Sequence, residues 1–87
     1  MVTKNRGEIS VDGRGYTRDV EADLNSKAYA LFGSGVGKAF LQYLEGITTN
    51  NIYPAGTNIE TLAHAEGARW VVAVMKARCE KGRKQND

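Results

Sequence analysis

The sequence predicts an all-α fold, a small helical hairpin of two main helices preceded by a shorter one. Three observations lead there. From Asp19 onward, apolar residues recur at the three- and four-residue intervals of helices with one buried face. Glycine-rich or Thr/Asn/Pro/Gly-rich breaks separate these stretches at Gly33–Gly37 and at Thr48–Gly56. A chain of 87 residues has room for one domain, close to the lower size limit for folding alone.

Residues 1–19 are polar, charged and punctuated by glycine, and they read as an N-terminal arm. Glu8-Ile9-Ser10-Val11 alternates like a short strand, and Asp12-Gly13 is a good hairpin turn. Strands this short leave an isolated hairpin marginal in water. The segment is expected to be mobile, either ordered by a partner or a plain solvated terminus.

Residues 20–82 form the expected helical domain. Val20, Leu24, Ala28, Leu31 and Phe32 fall on one face of the first helix, with Gly33 as its left-handed stop. Ser34 is placed to cap the second helix, in which Val36, Phe40, Tyr43, Leu44 and Ile47 form one stripe to be buried, and Gly46 closes it. Thr57 and Glu60 have capping-box spacing, so a third helix is expected from about Asn58 to about Lys81. Its main face carries Ile59, Leu62, Ala63, Gly67, Trp70, Val74 and Ala77. Gly82 and a polar tail, residues 83–87, end it.

Val71, Val72 and Met75 fall away from the face centred on Trp70, so the third helix is apolar nearly all round. Two short helices do not cover every side of it. Trp70, Val71, Val72 and Met75 are therefore the expected protein-contact surface; the alternative is a wide core-facing stripe with one exposed valine.

Chemistry is sparse. Gly33-Ser34-Gly35-Val36-Gly37-Lys38 looks like a phosphate loop, but Phe32 stands where its first glycine belongs and Ala39 where the magnesium-binding hydroxyl belongs. It reads as a glycine-rich corner between helices. His64 is the only histidine and has no second ligand one turn away, and Cys79 is the only cysteine. No catalytic, cofactor or metal site is expected, and no enzyme activity. Glu66 and Arg69, three apart, can meet on the third helix beside Gly67, where another helix can approach. These three are the expected structural latch, with Arg69 pairing with Glu66 or each reaching backbone at the Gly33–Gly37 corner.

The net charge is only +2, but basic residues gather at both ends. Arg14, Tyr16 and Arg18 interleave charge with a ring, and Arg78, Lys81, Arg83 and Lys84 crowd the other end. They are the expected contacts if nucleic acid is bound, weakly and without a recognisable reader motif; solvated termini are the alternative. The first residues carry no apolar run of a secretory signal, and the strongest apolar run, Trp70 to Met75, is far short of the roughly 20 residues of a membrane span.

The order Leu31-Phe32-Gly33-Ser34, Gly37-Lys38, Phe40-Leu41, Leu44, then Ala63, Glu66-Gly67 and Arg69 resembles a family of short tailed-phage proteins first named from a Bordetella podovirus. The similarity runs from about Ala28 to Met75. It implies a small helical phage protein encoded among head, packaging and tail genes, without implying an activity. The expected role is a virion or assembly component acting through contacts with other phage structural proteins or with itself. Its place is the host-cell cytoplasm during assembly, and the virion if it is retained. A small nucleic-acid-associated accessory protein is the alternative, and no small-molecule substrate or membrane is expected.

Overall fold

The computed structural model describes residues 9–86. Three helices follow a short turn: α1 (Arg18–Phe32), α2 (Gly35–Ile47) and α3 (Ile59–Gln85). The all-α expectation stands, with no strand among the described residues. The length order differs, since α1 has 15 residues and α2 only 13.

Ile9 and Gly15 form one antiparallel bridge around the Asp12-Gly13 turn, where Gly13 takes a φ of +86°. Ser10 N donates to Arg14 O at 2.8 Å, and Gly13 N to Ser10 O at 2.9 Å. The turn expected in an unattached arm is instead fastened to the helices through Ser10 and Asp12, as described below. The expectation for residues 1–8 lies outside the described residues.

Thr17 caps α1 by accepting from Val20 N at 3.3 Å. At the α1–α2 corner the left-handed residue is Gly35 (φ +62°); Gly33, expected to fill that role, is right-handed at φ −75°. Gly33 nevertheless ends α1, its N–H donating to Tyr29 O at 2.7 Å. Ser34 sits at the cap position of α2, but its hydroxyl makes no capping bond. Asn58, not Thr57, caps α3, accepting from Thr61 N at 2.8 Å, while Thr57 donates to Pro54 O at 2.6 Å.

Gly82 does not end α3, which runs through the expected tail to Gln85. It lies buried where α3 crosses α1, and a Cβ there would overlap the Asn25 carbonyl oxygen. That close approach is the role expected of Gly67, which is exposed with nothing near it.

The inner face of α3 is Ala65, Arg69, Val72, Met75, Arg78, Cys79 and Gly82, at intervals of three and four. The expected main face lies largely on the far side: Ile59, Leu62 and Trp70 are exposed. α1 is also displaced, with Asn25 at its buried centre and Val20 and Leu31 exposed. α1 supplies most of the packing against α3, and α2 the least.

Candidate interaction surface

The best-buried charged group among the described residues is Arg78, only 7% exposed, and it lies against Asn25, 3% exposed. Its Nη1 donates to Asn25 Oδ1 at 2.9 Å and lies 3.2 Å from Glu21 Oε2. Its Nη2 donates to Ser10 Oγ at 2.9 Å and faces Asp12 Oδ2 at 3.4 Å. The Tyr16 ring covers the guanidinium at 5.6 Å from its centroid, and Tyr16 Oη donates to Asp12 Oδ2 at 2.5 Å. Ser10 Oγ in turn donates to Glu21 Oε1 at 2.7 Å. The cluster joins the N-terminal turn, α1 and α3. A cation enters a low-dielectric site when opposite charges and acceptors saturate its donors, and this one has two carboxylates, an amide and a hydroxyl.

This arrangement withdraws Arg78 and Tyr16 from the expected nucleic-acid contacts, since both are committed within the fold. Arg83 is paired with Glu80. Arg14, Arg18, Lys81 and Lys84 remain at the surface. The Tyr16 hydrogen bond, helped by the Arg14 backbone N–H and by Arg78, holds the Asp12 carboxyl below its ordinary value, while the same Asp12 bond raises the Tyr16 phenol.

The Glu66–Arg69 pair forms at 3.7 Å, with the Glu66 side chain largely exposed. Arg69 Nη2 also donates to Asn51 O at 3.3 Å. The latch therefore reaches backbone in the α2–α3 connection rather than at the Gly33–Gly37 corner. Gly37 serves that corner itself, packing so close to Leu31 that a Cβ would collide with its backbone.

Between the three helices lies a cavity of about 480 Å³. Lys38, Gln42 and Glu45 of α2 line it together with Tyr29, Phe32 and Cys79. Glu45 pairs with Lys76 at 2.8 Å, raising the lysine above its usual range. Burial pushes the Cys79 thiol up, which keeps it protonated and a poor nucleophile at neutral pH. Among the described residues no group of three or more His, Cys, Asp or Glu side chains is placed to hold a metal ion.

The opposite side of α2 is the surface that sequence reading missed. Val36, Phe40, Tyr43 and Ile47, expected in the core, are all more than half exposed, Val36 at 87%. The inward side of α2 carries buried Leu41 with half-buried Gly37, Leu44 and Glu45, while Lys38 and Gln42 stand exposed at the rim of the cavity. The helix thus turns only part of its apolar surface toward the protein and leaves the seam through Val36, Phe40, Tyr43 and Ile47 toward water. On α3, Trp70 and Val71 are half exposed and Met75 is half-buried, but Val72 is only 5% exposed. Val72 is a core residue and leaves the expected contact set, because the inner face of α3 is built on it.

No protein-family model, curated protein or solved structure matches this chain. No helix among the described residues is long and apolar enough to cross a membrane.

Proposed function

We propose that this protein is a non-enzymatic structural or assembly protein of a bacteriophage, acting through protein–protein contacts. One observation carries the contact part: the chain is under-buried. It exposes 6330 Å², whereas a folded monomer of 9.5 kDa exposes about 5,000 Å². Its radius of gyration is 15.5 Å against about 12 Å for a compact domain of this length. Only Leu41 and Val72 are buried apolar side chains among the described residues. Twelve large apolar residues among the described ones are exposed instead, Val36, Ile52 and Ile59 at 79% or more. The phage assignment rests on the resemblance over Ala28 to Met75.

The test is quantitative mass spectrometry of purified mature particles, relative to the major capsid protein. A reproducible copy number is expected if the protein is a virion component. Presence in infected-cell lysate in complex with head or tail proteins, but absence from particles, makes it a transient assembly factor. Absence from both removes the reading.

A second reading, a nucleic-acid accessory protein, is favoured by one placement. Gln85 Nε2 donates to Ala22 O at 3.2 Å, which brings the basic end of α3 beside the N-terminal half of α1. Arg18, Lys81 and Lys84 belong to that end. Binding of a duplex that weakens steeply with salt, and that is lost in a Lys81→Glu, Lys84→Glu variant, would favour this reading over the first.

A further inference from the structure

We infer that the outward face of α2 is a homotypic interface, the seat of a second copy of this chain. The inference rests on the assembly reading above and names its first partner. Val36, Phe40, Tyr43 and Ile47 follow one another at intervals of four, three and four, the spacing of a coiled-coil seam. Phe40 and Tyr43 are already in ring contact, with centroids 5.5 Å apart, so half of the seam is pre-ordered. The seam is flanked by Ala39 and Gly46, both exposed, with open space over Gly46. Small flanking residues let a second helix come close.

Charge selects the occupant. A twofold contact brings each patch against its own copy, so a charge near the axis meets its like. The outward face of α2 has none: Lys38 and Glu45, its only charged residues, line the cavity on the other side. The exposed apolar stretch of α3 differs, because Glu66 stands one turn from Trp70 and its side chain is largely exposed. A surface built for an oppositely charged partner would carry charge; this one is neutral along its length and complementary to itself.

Area sets the strength. The four seam residues expose roughly 450 Å² per copy. Two copies then bury up to about 900 Å², the size of a weak, transient contact. Association at that size is reversible and depends on concentration.

Sedimentation equilibrium of the whole protein over a concentration series tests this. The average mass is expected to rise from 9.5 kDa toward twice that value. Phe40→Glu should raise the dissociation constant at least tenfold while helical circular dichroism is unchanged. Val36→Glu, at a site 87% exposed, gives the same readout where folding is not at risk. Phe40 lies near the middle of the seam, so mixing Phe40→Glu with Phe40→Lys should restore the dimer. A monomer at every concentration overturns the inference, as does a dimer indifferent to both glutamate variants or one dissociated only by Trp70→Glu. In each of those cases the particle measurement still decides the assembly reading independently.

Discussion

Arg78 on α3 and Asn25 on α1 share a hydrogen bond of 2.9 Å at the centre of the packed face, where an apolar pair would be expected. The amide is used on both sides: Asn25 Nδ2 donates to Gln85 Oε1 at 2.9 Å, so one side chain of α1 grips α3 at two levels. Ser10, Asp12 and Glu21 complete the arginine's shell and tie the N-terminal turn to both helices.

Arg78→Ala should therefore destabilise the fold by about 2–4 kcal/mol, since it strands two carboxylates and an amide beside a cavity. The check is urea unfolding followed by circular dichroism. Loss of Tyr16 ring protection in NMR should accompany it, because the ring rests on the guanidinium. A midpoint equal to that of the unmodified protein would show the cluster to be dispensable.

Two glycines of the same helix should respond in opposite directions to alanine. Gly82→Ala drives a Cβ into the Asn25 carbonyl and should cost about 1–3 kcal/mol despite the better helix propensity. Gly67→Ala meets open space and should gain about 0.5–1 kcal/mol. Thermal melts of the two variants separate them by sign.

The Asp12 carboxyl has a folded-state pKa below its ordinary value of 3.8. Its contribution to stability is complete above that value and is lost as pH falls through the lowered one. The Tyr16 phenol, raised above 10.0, behaves in the reverse sense and loses its contribution as pH rises through the raised value. Stability should be flat between about pH 5 and 9 with respect to this pair and decline outside it. Asp12→Asn should flatten the acid limb in a pH series of unfolding midpoints.

Arg69→Ala should lower the thermal midpoint, because the guanidinium ties α3 to Asn51 O in the α2–α3 connection. Glu66→Ala should change stability by less than about 0.5 kcal/mol, as expected for an exposed pair. Equal effects from the two variants would place the latch in the ion pair instead.

Much of the local structure was legible in the sequence. The glycine corner, the Asp12-Gly13 turn and all three helices occur where spacing and turn residues put them. Boundaries slipped where a second residue could do the same job: Asn58 outcompeted Thr57 as a cap, and Gly82 looked like a stop because glycine serves equally in a stop and in a close helix crossing. The inward faces were less legible. α3 has two apolar stripes, and the richer one, through Ile59, Leu62 and Trp70, is the exposed one. The buried one contains Arg69 and Arg78, which no pattern of hydrophobic spacing selects.

The sequence by itself determined that the chain is helical, where it turns, and that it holds more apolar helix surface than three short helices can cover. Those are properties of neighbouring residues, read at one turn's distance. Which face turns inward was decided only in the tertiary structure. Arg78 becomes a core residue because Ser10, Asp12, Glu21 and Asn25 arrive from elsewhere in the chain to saturate it. α2 turns its apolar seam outward because Gly37, Leu41 and Glu45 face the other helices, Gly37 packed against Leu31 and Glu45 paired to Lys76. Burial of a polar group depends on partners distant in sequence, and periodicity within one helix carries no information about them.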